Sequence, residues 1–376
     1  MRILLLGEFS NVHATLAKGL RAEGHNVTLA SDGDGWKDYP RDIDLRRPEG
    51  NRLSQMRWLW HLWKNFRTFQ GYDVVQLINP IFLPLRAERL YRFYRFLRKH
   101  NKKIYLGAFG MDKYYVRACV ESHLFRYSDF NIGTEQRRYF ENDIWVRDWL
   151  KGAKGALNDY IAQDADGIVA GLYEYYAAYK ADFGHRLRFI PFPIVPSPLV
   201  HTPYTPDRPI RFFIGIQQKR NAYKGTDIMW HALLRLREQY PERVELIQAI
   251  SLPFDEYIHQ MQQADVLLDQ LYAYTPAMNA LEAMGRGICV VGGGEPENYT
   301  ILNCSDIRPI INVYPTEESV YKALCLLVEN HTEIPRLQKE SRLYIERYHD
   351  YRKVARCYLD FWLSSSEPTP NINTHS

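Results

Sequence analysis

Two short stretches of this sequence carry residue types and spacings suited to holding an anion. The first runs from Tyr274 to Glu297 and reads YTPAMNALEAMGRGICVVGGGEPE, a loop, a helix, a buried strand and a Gly-rich acidic turn. Thr275 stands where a side chain can cap the helix, and Pro276 sits where a first-turn proline costs nothing. Ala280, Leu281, Ala283 and Met284 supply a packing side. Gly285 and Gly287 are expected to end the helix, since both tolerate positive φ. The run ICVV then has the character of a strand covered on both faces. A helix opening at the carboxyl edge of such a sheet presents free N–H groups and a partial positive charge, which suits phosphate. Glu282, one and a half to two turns further in, stands where a carboxylate would grip a ribose.

The second stretch is KRNAYKGTD, Lys219 to Asp227, directly after the apolar run RFFIGI. Arg220 and Lys224 fall in a loop leaving a strand, and Gly225 and Thr226 open the next helix. Two cations beside a helix start can neutralise a diphosphate, each charge-assisted hydrogen bond contributing roughly 1.5–3 kcal/mol. A short basic cluster is more often a solvated turn. Its pairing with the Tyr274–Glu297 stretch favours the phosphate reading.

Parallel strands and helices must position these loops. Ile3–Leu6, Val27–Ala30, Asp73–Ile78, Lys103–Leu106 and Gly167–Ala170 read as strands separated by helical segments, the first of them Val12 to Glu23. This is the pattern of a doubly wound sheet, which places ligands beyond the carboxyl ends of its strands. Gly7, Ser10, Asn11, Asn79, Gly107, Gly110 and Asp112 fall at those ends. The proline-dense stretch from Phe189 to Pro209 reads as a semi-rigid linker. After it the alternation restarts with strands at Arg211–Ile216, Val244–Ile250, Val266–Leu268 and Pro309–Val313. Helices are expected at Thr226–Gln239, near Glu256–Gln263, at Glu317–Glu329, Ile334–Tyr348 and Tyr351–Leu363. The chain of 376 residues exceeds one ordinary core. The expectation is an α/β protein of two doubly wound domains facing across a cleft, residues 1–195 and 208–345. Residues 346–365 would form a helix returning to the first domain, and 366–376 a disordered tail.

Composition narrows the functional classes. A net charge of +4 is too mild to argue for nucleic acid, and no nucleic-acid recognition module is visible. The five cysteines are dispersed without a CxxC pair, which fits buried thiols in a reducing compartment rather than disulfides or a metal site. The opening MRILLLGEF is apolar too briefly for a signal peptide, so a cytoplasmic protein is expected. Two basic aromatic helices, 52–69 and 86–103, could lie on anionic lipid, making the protein peripheral to the inner membrane. The bland alternative has their aromatics on the sheet and their Arg stems reaching outward. In the first half, Asp112 within GAFGMDKYY is either an acceptor-side carboxylate or a helix cap. His13 and His123 read more readily as structural residues, and no clear general base is visible.

At this point the chain resembles the two-domain GT-B glycosyltransferases, in particular the retaining family-four group. Arg220 and Lys224-Gly225 match that group's Arg–x–x–x–Lys–Gly loop. LEAMGRGICVV, Leu281 to Val291, matches the core of its acidic motif, and Glu282 matches the second of two glutamates. The Gly7 loop fits the acceptor domain, and SRLYIERYHD, Ser341 to Asp350, resembles the segment whose last helices return to it. The resemblance implies two Rossmann-like domains and a nucleotide diphosphate-sugar co-substrate held in the second, with no cofactor and no metal. It implies transfer with retention to a glycan or lipid-linked acceptor. Arg220 and Lys224 would hold the diphosphate and stabilise charge on the leaving group, with Asp112 on the acceptor side. Gly7, Lys219, Gly225, Tyr274, Thr275, Ala277, Met278 and Glu282 would contact the donor. One position departs from the group: its first glutamate, eight residues before Glu282, is Tyr274 here. Tyr274 would supply a hydroxyl, or Glu295 or Glu297 would take over, or the donor sugar is unusual, or transfer is lost. Two other readings therefore stand beside transfer: a nucleotide-sugar epimerase of the same fold, and an inactive sugar-nucleotide binder.

Overall fold

The computed structural model describes residues 1–50, 52–197, 203–217 and 221–364. Its first half builds strands β1 (Arg2–Leu6), β2 (Asn26–Ser31), β3 (Ile43–Asp44), β4 (Val74–Leu77) and β5 (Lys103–Ala108). A small antiparallel hairpin, β6 (Asn131–Ile132) and β7 (Glu135–Gln136), precedes β8 (Gly167–Ala170) and β9 (Leu187–Phe189). Apart from the hairpin these strands form one parallel sheet in the order β3-β2-β1-β4-β5-β8-β9. The second half gives β10 (Ile210–Ile216), β11 (Val244–Ile250), β12 (Val266–Leu268), β13 (Cys289–Gly292) and β14 (Ile310–Asn312), parallel in the order β11-β10-β12-β13-β14.

The apolar runs explain both sheets. In β10, Ile210, Phe212, Ile214 and Ile216 join the core beneath the Thr226–Gln239 and Glu317–Glu329 helices, while Phe213 points to the opposite core. The same two-residue alternation divides Val266 and Leu268 from Leu267, and Cys289 and Val291 from Val290. Both faces are covered, so the strands must be apolar throughout, as parallel sheets between helices require.

The chain crosses between the two halves twice, side by side. Ile194 N–H donates to the His349 carbonyl at 2.7 Å, and Tyr351 N–H donates to the Ile194 carbonyl at 3.0 Å. Beyond the crossing, the Tyr351–Ser364 helix lies on the first domain. Phe361 and Trp362 meet the Tyr105 ring, and Arg356 pairs with Glu23 on the far side.

Several local expectations need correction. Phe189 closes β9, and Ile190, Phe192 and Ile194 are buried, so the front of the proline-dense stretch is core rather than linker. Residues 198–202 of that stretch lie outside the described residues, as does the tail expected to be disordered beyond Ser364. The short strands β3, β6, β7 and β9 lack the apolar length that would reveal them. The helix expected at Ile334–Tyr348 is regular only to Tyr344, then widens over Ile345–His349. The Ala87–His100 helix buries Leu90, Phe93, Tyr94 and Leu97 against the first domain, while Tyr91 remains exposed.

Candidate functional site

Three loops meet at the carboxyl edge of the second sheet. The first follows β10 and contains the Asn221–Lys224 turn and Gly225. The second follows β12, and the third is the Gly-rich turn after β13. Leu271 N–H donates to the Lys224 carbonyl at 3.1 Å, tying the first loop to the second. Gly225 has φ of +73°, and a Cβ there would lie 2.9 Å from Leu271 and 3.0 Å from Tyr272, so only glycine lets the loops touch without strain. Glu295 N–H donates to the Tyr274 carbonyl at 3.1 Å, tying the third loop to the second. A Cβ at Gly293 would come within 2.4 Å of the Ala273 carbonyl oxygen, which explains a glycine in that turn. The structure thus brings Lys224, Gly225, Tyr274, Thr275, Ala277 and Met278 together. Lys219 and Arg220 lie outside the described residues.

The side chains around this edge carry opposed charge. Asp269, just past β12, is partly buried, and desolvation raises its pKa while the nearby Lys224 cation opposes that rise. Asn279 donates to Asp269 at 2.8 Å and accepts from the Tyr257 hydroxyl at 2.8 Å. Glu282 is partly exposed and forms an ion pair with Arg286, one turn on, at 2.6 Å. That guanidinium fixes the carboxylate's orientation and leaves its edge accessible.

The helix expectation fails at its start. The helix spans Met278–Met284 and is preceded by Ala277, so Thr275 is not its cap. The Thr275 hydroxyl instead donates to Glu174 Oε2 at 2.5 Å, a charged acceptor that outcompetes the local backbone. At the far end, Gly285 keeps helical dihedrals and only Gly287, at φ of +79°, takes the left-handed turn.

Residues that the sequence did not single out join this edge to the first domain. Glu174 Oε1 accepts from the N–H groups of Tyr274 at 2.6 Å and Thr275 at 3.2 Å. Tyr274 is 2% exposed, and its ring packs against Phe125, Tyr127 and Tyr173. Its hydroxyl accepts from Arg126 N–H at 2.6 Å, and the Arg126 guanidinium lies 4.8 Å from its ring centre. Arg126 also pairs with Glu295 at 2.8 Å and Glu297 at 2.6 Å, which holds Glu297 below the usual carboxylate pKa. Tyr127 donates to Glu295 at 2.6 Å. Arg137 donates to the Ala222 and Tyr223 carbonyls and covers the Tyr272 ring. At the position where the resembling group has its first glutamate, the phenol is therefore engaged by the first domain. Glu295 and Glu297 are engaged by Arg126.

In the first domain, Gly7 ends β1. Its N–H donates to the Ala30 carbonyl at 2.9 Å, and its carbonyl lies 2.8 Å from His13 Nδ1. Burial lowers the His13 pKa to about 3, so the ring is neutral, and its Nε2 has no partner among the described residues. Glu8 is also buried, and burial raises its pKa to about 8 although it accepts from His13 and Ala14 N–H groups. Asp112 is fully buried and caps the Lys113–Val120 helix, accepting from Tyr115 N–H and the Tyr179 hydroxyl, both at 2.9 Å. Burial raises its pKa to about 7. With no exposed surface, the carboxylate serves the helix rather than facing an acceptor.

No protein-family model matches the chain, and no curated protein matches it in sequence. Solved structures do match it in shape along nearly its whole length. Sucrose-phosphate synthase from Thermosynechococcus elongatus superposes with a TM-score of 0.62 at 13% identity, over 97% of this chain and 98% of that one. Anabaena HepE, solved with UDP and glucose, gives 0.61 at 12% identity over 97% and 100%. UDP-GlcNAc 2-epimerase from Neisseria meningitidis, bound to UDP-GlcNAc, gives 0.52 at 10% identity over 97% and 100%. The likeness is one of architecture: two Rossmann-like domains in the GT-B arrangement.

Proposed function

We propose that this protein is a glycosyltransferase that moves a sugar from a nucleotide diphosphate-sugar to a glycan or lipid-linked acceptor, with retention at the anomeric carbon. The observation that carries the reading is the meeting of the Lys224-Gly225 turn with the Tyr272–Met278 loop at the carboxyl edge of the second sheet. In a fold of this kind that edge is where ligands bind. Lys224, with Arg220 beside it in sequence, supplies the charge for a diphosphate, and Glu282 the acceptor for ribose hydroxyls. Anabaena HepE, of similar shape, was solved with UDP-glucose, which supports a uridine donor here. In transfer, the cations would act on the leaving group, where negative charge grows in the transition state.

The Arg52–Lys64 helix supports contact with a membrane surface. Leu53, Met56 and Trp60 are exposed at helical spacing, and Lys64 lies 5.4 Å from the Trp60 ring. Co-flotation with anionic but not neutral vesicles is the expected outcome; equal behaviour with both would remove this part of the reading. Among the described residues no helix is long and apolar enough to cross a membrane.

A thermal-shift series with UDP, GDP, ADP and their sugars, with and without divalent metal, tests the donor site, because a ligand of the folded state raises its stability. One nucleotide diphosphate should shift the transition clearly without metal. Lys224→Ala should weaken that ligand about 10- to 100-fold with the fold intact. No shift with any nucleotide would refute the donor site. Conversion of the free donor without release of sugar would point to the epimerase instead.

A further inference from the structure

We propose that Glu174 is a positioning residue that reaches from the first domain to fix the donor loop of the second, so that the loop takes its working shape only when the domains are closed. This rests on the donor reading above. Glu174 stands in the first turn of the Tyr173–Phe183 helix, 100 residues from its partners. Its two oxygens take three donors from one short segment: the N–H groups of Tyr274 and Thr275 and the Thr275 hydroxyl. Glu174 is 7% exposed, Tyr274 2% and Thr275 3%. A carboxylate so buried is tolerated only while those donors satisfy it, and the two loop N–H groups in turn depend on it. Glu174 therefore couples the shape of this loop to the first domain.

The contact grips one half of the loop and leaves the other to a ligand. Tyr274, Thr275 and Pro276 are buried, whereas Ala277 and Asn279 are partly exposed. The neighbouring Arg126 ion pairs are of a different kind. The Arg126 side chain is 53% exposed, so its pairs with Glu295 and Glu297 are screened by solvent and hold little by themselves. Glu174 is buried, as are Arg137 and the Tyr127–Glu295 pair, and of these Glu174 is the one bonded to the Tyr274 and Thr275 N–H groups. Glu174 Oε1 accepts from two backbone N–H groups, so it sets the path of the chain as well as, through Oε2, the pose of the Thr275 side chain.

The test compares wild type, Glu174→Ala and Glu174→Gln by hydrogen exchange at the Tyr274 and Thr275 amides, and by KM and kcat with UDP-glucose. Glu174→Ala should speed exchange at those amides at least tenfold and raise the donor KM about 10- to 100-fold, with a smaller change in kcat. Glu174→Gln, whose amide oxygen still accepts from both N–H groups, should restore protection and most of the KM. If Glu174→Ala does not fold, Glu174→Asp, with its carboxylate drawn back by one methylene, carries the same comparison. Unchanged exchange in the Ala variant would overturn the proposal. So would faster exchange with unaltered kinetics, and so would a lowered KM, which would make the contact an obstruction. If the wild type neither binds nor converts any nucleotide-sugar, the donor reading fails. The exchange data still decide whether Glu174 holds the loop.

Discussion

Replacing Tyr274 by glutamate would restore the side chain that the resembling glycosyltransferases carry, and the structure argues that this restoration should harm the protein. The Tyr274 ring contacts three other rings, with centroids 5.7 Å away for Phe125, 4.9 Å for Tyr127 and 6.1 Å for Tyr173. Such pairs contribute about 0.5–1.5 kcal/mol each beyond area burial, so losing all three costs roughly 1.5–4.5 kcal/mol. The cation–π contact with Arg126 adds about 0.5–1 kcal/mol. The new carboxylate would also join Glu295 and Glu297 around a single guanidinium, where like charges repel. Tyr274→Glu should therefore lose about 3–5 kcal/mol in urea unfolding, a large part of a typical stability of roughly 5–15 kcal/mol. Tyr274→Phe keeps the rings but leaves the Arg126 N–H without its acceptor, and should lose about 1–3 kcal/mol. A Tyr274→Glu protein as stable as wild type and faster in sugar transfer would refute the reasoning. It would show that the position opens to the donor rather than to the first domain.

Two further substitutions probe the packing around the site. Asp112, with its pKa raised from 3.8 to about 7, keeps a proton in the folded state that the unfolded chain has released. Its stabilising contribution is complete below pH 3.8 and is lost as pH rises through about 7, so Asp112→Asn should flatten the fall in melting temperature across that window. An unchanged pH profile would remove the protonated-cap account. Gly293→Ala should cost about 1–3 kcal/mol and weaken nucleotide binding, because the new methyl meets backbone rather than a movable side chain. A normal melting transition with normal affinity would show that the turn can shift at little cost.

The sequence made the two sheets and the donor-side loops legible because their determinants are local. Apolar runs such as RFFIGI and ICVV leave a central parallel strand as the natural reading, and the glycines at 225 and 293 mark turns. The links between domains were not legible. Glu174 meets a loop 100 residues away, and Arg126 meets Glu297 across 171 residues, with no periodicity or spacing to announce either. Thr275 shows the same limit from the other side. Its sequence context is that of a helix cap, but a distant buried carboxylate is the stronger partner. Asp112, by contrast, obeys the local rule for a cap. A polar residue before a helix does not by its type distinguish capping from chemistry, and only burial separates the two.

The seating of the Tyr351–Ser364 helix against the first domain also sets an order of assembly. During synthesis the first sheet is made before the second, but the surface it offers to Phe361 and Trp362 stays uncovered until the Tyr351–Ser364 helix has followed the second domain. Of the two domains, the one made earlier is thus completed later. A nascent chain stalled anywhere in the second domain would display an open apolar seam beside Tyr105, the kind of surface that chaperones hold.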